Sequence, residues 1–329
     1  MKAVQLSRFG GPEVLEIVDI ATPVAGPGQV LVRVKAAGVN FADVLMRQNR
    51  YAVSPPTPSV LGSEVAGVVE AVGEGVAGFV KGARVAAPLF AGNVFLGGYA
   101  EFAAIDAHYV SPMPDALSFD AATALMVQGL SALYLVKQAP PKGKRVLVNA
   151  AAGGVGTLLV QLARRAGASS VIAAASSAGK LSFARSLGAD IGVDYTQPHW
   201  GDALLAATGG AGPDIIYESV GGDVTMESLR ILAPLGQIVI YGALNIQHFN
   251  LGVPDLLGLI FKNQSLTGFA TAPLLTPATL RSALAELFDL AVRGEILVTI
   301  GGVFPFEQAA DAHRALESRE SRGKIVLTP

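Results

Sequence analysis

Apolar and polar positions divide the chain into three textures. From Met1 to about Leu117 the apolar residues come in short runs broken by glycine and proline, as in GQVLVRVKAAGVN (from Gly28) and EVAGVVEAVGEG (from Glu64). Such runs predict twisted antiparallel strands. From about Ser118 to Phe269, strand-like runs alternate with helical patterns. RVLVNA, SSVIAAA, DIGVDY, PDIIYESV and GQIVIYGAL are the strands, and TLLVQLARRAG and GKLSFARSLGA are two of the helices between them. Strand, helix, strand in that order predicts an α/β domain with a parallel sheet and crossover helices. The tail from Ala270 holds two helical patterns, PATLRSALAELFDLAVRGE and EQAADAHRALESRES, around a strand GGVFPF, and closes on the strand GKIVLT. That last strand has no short route into the parallel sheet, so it is expected to return to the N-terminal region.

Composition narrows the function classes. A chain of 329 residues exceeds the usual size of one core, and 51% hydrophobic residues can fill two. A net charge of -2 with 15% charged residues gives no electrostatic signature for nucleic acid or an anionic membrane. The opening MKAVQLSRFGGPEVLEI has no apolar run of signal-peptide length, so a cytoplasmic protein is expected. The longest uncharged stretch, Ile231 to Pro254, is interrupted by Pro234, Gly236, Gly242, Asn245, His248 and Asn250, which fits buried strand and loop better than lipid.

The absence of cysteine excludes disulfides, thiolate nucleophiles and sulfur-ligated metal sites. His108, His199, His248 and His313 stand far apart, without the i, i+4 spacing of a helical metal pair. The segment YESVGG around Ser219 has Tyr217 where a nucleophile elbow needs glycine, and no G-x-x-x-x-G-K-[ST] loop occurs.

One motif carries positive chemistry. After the apolar strand Val146, Leu147, Val148 come Ala151, Ala152, Gly153, Gly154, Val155 and Gly156, then a helix. This is G-x-G-x-x-G with alanine in the first position. Gly153 lets backbone approach a pyrophosphate and Gly156 lets helix pack on strand. The phosphates would lie on free N–H groups at the helix N-terminus, where the dipole alone contributes about 0.3 to 1 kcal/mol. A tight packing turn is the plain alternative, but strand, turn, helix and next strand occur in sequence, which favours dinucleotide binding. The second strand ends in Ser176, Ser177, Ala178, Gly179, Lys180, with no carboxylate for a ribose 2′-OH. Two hydroxyls and an ammonium suit a 2′-phosphate, so NADPH is expected over NADH; otherwise Lys180 is a solvated first-turn lysine.

The stretches AAGVNFADVLMRQNRY, LGSEVAGVVEAVG, GGYAEFAAI, VNAAAGGVGTLLVQLARRAGA, LGADIGVDY, YESVGG and ESRESRGKIVL, kept in order nearly end to end, resemble the zinc-independent quinone oxidoreductases of the medium-chain dehydrogenase/reductase superfamily. The resemblance implies a GroES-like β-rich catalytic domain made from residues 1–122 and 270–329 and a Rossmann-type doubly wound parallel-sheet domain over 123–269. In zinc-dependent relatives, Asn40 is a cysteine ligand, Ser63 a histidine, and a later ligand falls near Gln128. The retained Asp43 and Glu64 make a poor zinc site, and a structural role in capping or pairing is expected for them.

The resemblance places Asn40 and Tyr51 on the substrate side: Asn40 to donate to the acceptor oxygen, Tyr51 to orient it or relay a proton. Alternatively Asn40 only holds a turn and Tyr51 only packs. It also implies cofactor contacts at Asn40, Ser131, Tyr134, Ser219, Tyr241, Gly242, Ala243 and Phe269. Tyr195 packs near the adenosine or in the core, and Arg319 or its neighbour Arg322 reaches back to the cofactor. Leu45 replaces an aromatic residue of some relatives' pockets. The resemblance implies a homodimer joined through sheet edges of the cofactor domain, with IVIYGALNIQHFNL as the edge.

Three functions follow: an NADPH-dependent quinone reductase, an enoyl reductase acting on 2-enoyl thioesters or enones, and a non-catalytic NADPH-binding structural or sensor protein. Partners would be a small quinone or enone, with no nucleic acid and no membrane.

Overall fold

The computed structural model describes residues 1–242, 244, 248 and 250–329. The chain divides into two compact units, Met1–Leu130 with Thr271–Pro329, and Ser131–Ala270.

In the first unit, β1 (Lys2–Leu6) lies between β2 (Leu15–Asp19) and β4 (Ser59–Val60). A larger sheet carries β15 (Ile300–Pro305), β16 (Lys324–Thr328), β3 (Gln29–Val39), β5 (Val65–Val72), β6 (Arg84–Ala87) and β8 (Ser111–Pro112) in that spatial order. β7 (Phe102–Asp106) pairs with β3 beside that path. The closing strand does return here, since Ile325, Val326 and Leu327 of β16 pair antiparallel with Val39, Gly38 and Ala37. Alternate inward residues of these strands, among them Val4, Leu6, Val32, Val34, Val65, Val85 and Leu327, form one core. The helices α9 (Pro277–Val292) and α10 (Ala309–Glu317) belong to this unit, and α10 adds Ala309 and Ala312 to the core. Two more helices of this unit matter below: α1 (Phe41–Arg47) and α2 (Phe119–Ala124).

α2 continues through a π-helical stretch, Leu125–Gly129, into α3 (Leu130–Gln138). The cause of the widened turn is visible: the Val127 N–H leaves the helical ladder and donates to Glu64 Oε2 at 2.7 Å. Among the described residues this helix, Phe119–Gln138, is long and apolar enough to cross a membrane by length and composition, and over half of it is buried in the protein. It differs from the uncharged stretch singled out in the sequence, whose strand portion is buried in a sheet.

The second unit is a parallel sheet in the order β11 (Ile191–Asp194), β10 (Ser170–Ala175), β9 (Arg145–Val148), β12 (Ile215–Glu218), β13 (Gln237–Ile240), β14 (Ser265–Gly268). Counted from β9 this is the doubly wound order 3-2-1-4-5-6, whose reversal falls between β9 and β12. Crossovers include α4 (Gly154–Arg165), α5 (Ala178–Ser186), α6 (Trp200–Ala207), α7 (Asp223–Ile231) and α8 (Val253–Lys262). Leu147, Ile172, Leu204, Ile216 and Ile238 form part of one core beside the sheet. The expectation that IVIYGALNIQHFNL forms a sheet edge is overturned for its strand, Ile238–Ile240. β13 lies inside the sheet, paired on one side with β12 and on the other with β14. Its continuation at residues 243, 245–247 and 249 lies outside the described residues.

Candidate functional site

In the first unit the site begins at the end of β3. Asn40 caps α1, and its backbone N–H donates to Asp43 Oδ2 at 2.8 Å, so the third helical residue closes half of a capping box. The Asn40 side chain makes no capping bond. Its Nδ2 instead donates to Glu64 Oε1 at 2.8 Å, and its Oδ1 accepts from Lys324 Nζ at 2.7 Å. Lys324 also pairs with Glu64 Oε1, and both side chains are fully buried. Asp43 and Glu64 therefore cap and pair.

Behind this triad, Tyr99 Oη lies 3.2 Å from Asp43 Oδ2 and 3.3 Å from His313 Nε2, all three residues being buried. Burial pushes the Asp43 carboxyl up to about 7, against the pull of the Asn40 N–H and the Lys324 charge. Burial, with the Arg47 guanidinium, holds His313 neutral down to about 3. Arg47 is itself buried and paired with Glu317 Oε1 at 2.6 Å. Tyr51 is 36% exposed, and partial burial with the Asp43 charge raises its phenol above the ordinary value. Leu45 is half-buried on α1, and Arg319 is exposed with a left-handed φ of 58°.

The zinc positions of the resemblance hold Asn40, Ser63 and Gln128, and the first is already saturated at its oxygen by an ammonium. That donor set does not fit a catalytic zinc. Among the described residues no cluster of three or more His, Cys, Asp or Glu could hold a metal ion.

In the second unit the glycine turn follows β9, at the reversal of strand order. The left-handed conformation falls on Ala150 (φ 49°), one residue before the motif. Ala151 is thus free of the positive φ that a leading glycine would serve, and it is buried without strain. Gly153 caps α4, and the N–H groups of Gly154, Val155 and Gly156 point beyond the helix end as in any first turn. A Cβ on Gly153 would meet only Ala150 O at 3.2 Å, whereas one on Gly156 would overlap that oxygen and lie 2.8 Å from Ala151 Cα. The two glycines thus do separate work: Gly156 is required by packing, and Gly153 leaves room on the solvent side.

At the tip of β10, Lys180 Nζ donates to Ser176 Oγ at 3.1 Å, and Ser177 caps α5 by accepting from the Lys180 N–H at 3.4 Å. The nearest acid in sequence, Asp190, is taken up by the Val171 N–H at 2.8 Å and by Arg164, and the next, Asp194, is turned to the Thr196 N–H and hydroxyl at 2.9 and 2.7 Å. Tyr241 is hydrogen-bonded to Ser219 and lies close to Tyr195. Gly242 packs on Ser219, where a Cβ would come to 2.6 Å. Phe269 continues β14, its N–H bonded to Ile240 O at 2.9 Å. Ser131 is buried and Tyr134, one turn on, carries Lys137 over its ring at 5.4 Å. Ala243 lies outside the described residues.

Sequence reasoning missed two residues. Glu218 is buried at the end of β12 and accepts from the N–H groups of Val220 and Gly221 at 2.6 and 2.7 Å and from Thr225 Oγ1 at 3.1 Å. It also takes an Asn149 amide hydrogen, and so ties the β12 and β9 loops together. Lys324 was the other, and its signal was available as a lone charge opening an otherwise apolar strand, KIVLT.

A β-rich unit assembled from two chain segments, and a doubly wound sheet with a glycine turn at its reversal point, define a medium-chain dehydrogenase/reductase. Residues 26–115 match the alcohol dehydrogenase GroES-like domain and residues 154–289 the zinc-binding dehydrogenase domain. The chain is 37% identical to a quinone oxidoreductase of Pseudomonas aeruginosa, over 100% of its own length and 99% of the relative's. It is 35% identical to a 2-haloacrylate reductase of a Burkholderia species, over 99% and 98%. The crystal structure of Escherichia coli quinone oxidoreductase complexed with NADPH superposes with a TM-score of 0.91 at 33% identity, covering 100% of both chains. The chain belongs to the quinone oxidoreductase family of medium-chain dehydrogenases/reductases.

Proposed function

We propose that the protein is an NADPH-dependent oxidoreductase that transfers hydride to quinones without zinc. The observation that carries this is the glycine turn with Ser176 and Lys180 at the next strand tip, in a chain similar over its whole length to quinone oxidoreductases. The residues fit the cofactor. The first-turn N–H groups of α4, which helix geometry leaves without partners inside the helix, suit a pyrophosphate, Gly153 leaves a cradle a side chain would narrow, and a hydroxyl with an ammonium suits the 2′-phosphate.

When bound, NADPH supplies the hydride. The chain's own residues then bind and orient: Ser131, Tyr134, Tyr195, Ser219, Tyr241, Gly242, Ala243, Phe269 and Arg319 are the proposed further contacts to the cofactor. Asn40 donates to the acceptor oxygen, and Tyr51 orients it or relays its proton. A quinone or conjugated carbonyl delocalises the arriving charge, so position matters more than a Lewis acid. The 2-haloacrylate reductase likeness favours a second reading, reduction of a conjugated alkene next to a carboxyl or carbonyl group.

The test is NADPH oxidation in EDTA with a 1,4-quinone, a short enone, an enoyl thioester and a 2-haloacrylate, NADH being the control donor. Fastest turnover of the quinone is expected; preference for an alkene would select the second reading, and oxidation of none would overturn both.

The proposed location is the cytoplasm, without membrane attachment, and the proposed assembly is a homodimer through the second unit. β11 and β14, rather than β13, are its outer strands among the described residues, and β14 is the one proposed to lie beside the partner. α8, just before β14 in the chain, buries none of its residues fully and exposes Val253 (69%), Ile260 (66%) and Phe261 (81%). A bare edge strand and an apolar helix face in one unit are what a second copy would cover. Light scattering is expected to give twice the mass of the 33.7 kDa chain, and Phe261→Asp to halve it. A monomeric mass for the unmodified chain would reject the dimer.

A further inference from the structure

The triad of Asn40, Glu64 and Lys324 determines more than packing. A lysine ammonium can only donate and an ionised carboxylate can only accept, so an amide between them has one allowed orientation. Turning the Asn40 amide over would set NH2 against NH3⁺ and oxygen against carboxylate. The observed arrangement has Oδ1 facing Lys324 Nζ at 2.7 Å and Nδ2 facing Glu64 Oε1 at 2.8 Å. Each bond has an ionised partner and is the stronger for it. One amide hydrogen is used on Glu64, which leaves Asn40 a single N–H still to give.

The surroundings hold this arrangement in place. Lys324 and Glu64 have no exposed surface, and Asn40 keeps 7%. The second Glu64 oxygen is occupied by the Val127 N–H, so the carboxylate cannot swing away from the amide. On β3, a Cβ at Gly38 would overlap the Glu64 carboxylate and come within 2.6 Å of Lys324 Cε; glycine there is what admits the pair. Asn40 also forgoes the side-chain cap its position on α1 offers, which shows that the distant partners win over the local one.

We infer that Lys324 is a positioning residue: with Glu64 it locks Asn40 as a hydrogen-bond donor, which selects acceptors that present a carbonyl oxygen. The inference rests on the proposed place of Asn40 at the acceptor. A cation on the amide oxygen also polarises the amide and strengthens its remaining N–H as a donor. That gain grows as negative charge develops on the acceptor oxygen, so it falls on turnover more than on substrate binding.

The test uses the full chain with NADPH and the best quinone. The variants are Asn40→Ala, the charge-neutral pair Glu64→Gln with Lys324→Met, the triple variant, and Glu64→Gln alone as a milder version should the pair fail to fold. Readouts are kcat and KM, NADPH affinity by fluorescence, the melting temperature, and the Asn40 side-chain NH2 signals by NMR, assigned by their loss in Asn40→Ala. The pair is expected to lower kcat by about tenfold or more, with KM and NADPH affinity within about twofold. Asn40→Ala on top of the pair is expected to add nothing. The NH2 proton bonded to Glu64 is expected to be protected from exchange in the unmodified protein and exposed in the pair, and to become partly exposed in Glu64→Gln with an intermediate loss of kcat.

Full additivity of Asn40→Ala with the pair, or unchanged NH2 protection in the pair or in Glu64→Gln, would overturn the role of Lys324 while leaving Asn40 as donor. An Asn40→Ala enzyme with unchanged kcat would overturn the donor reading itself, and this inference with it.

Discussion

Gly156→Ala is expected to lower the melting temperature and abolish measurable NADPH binding, whereas Gly153→Ala is expected to fold normally and lose only the cofactor. The contrast follows from what each added methyl would meet. At Gly156 the neighbours are the Ala150 oxygen, Ala151 Cα at 2.8 Å and Ala151 C at 2.9 Å, all backbone. They cannot rotate away, so α4 must lift from β9. Overpacking typically costs about 1 to 3 kcal/mol, and an all-backbone clash belongs at the upper end. A shift of α4 also displaces the Gly154, Val155 and Gly156 N–H groups, and the anion site goes with them. At Gly153 the one neighbour is 3.2 Å away, and the methyl would enter the space proposed for a phosphate. Calorimetry and fluorescence titration of both variants separate the two effects; a Gly156→Ala protein that binds NADPH normally would refute the assignment of this turn.

Lys180→Ala is expected to raise the NADPH dissociation constant by roughly tenfold to a hundredfold and leave NADH unchanged, since a charge-assisted hydrogen bond contributes about 1.5 to 3 kcal/mol. The side chain is held by Ser176 at the strand tip, half-buried rather than free in solvent, so it is aimed before the ligand arrives. Parallel titrations with the two dinucleotides decide the matter: equal weakening of both would mean that Lys180 supports the loop and does not select the phosphate.

The parts of this molecule that could be read from the chain are those whose cause is local. The glycine turn is a run of six residues, and the alternation of strands and helices around it repeats at short range, so the parallel sheet with crossover helices followed directly, while its doubly wound order came from the resemblance. The return of KIVLT to the first unit followed from exclusion, because no short connection led elsewhere. The sheet edge was misread because SLTG, which forms β14, carries a single large apolar residue. Periodicity fails when a strand lacks an apolar face. In the candidate site, Asn40 and Tyr51 came from resemblance, while the partner that orients Asn40 lies 284 positions away in sequence. No local pattern pairs those two residues; only the strand register of β16 against β3 does.

That register also bears on how the protein is made. The second unit has all its strands in one continuous stretch, from Arg145 to Gly268, and can close its sheet while the rest of the chain is still being translated. The first unit cannot, because the Ala37–Val39 end of β3 lacks one neighbour until residues beyond Lys324 have emerged, although β7 already pairs with Gln29–Arg33. During synthesis that end of β3 therefore presents a short open edge with Glu64 uncompensated nearby, a state that nascent-chain binders would shield. The donor orientation of Asn40 is consequently among the last features to form, and a ribosome-bound intermediate can hold a finished cofactor fold well before it can do chemistry.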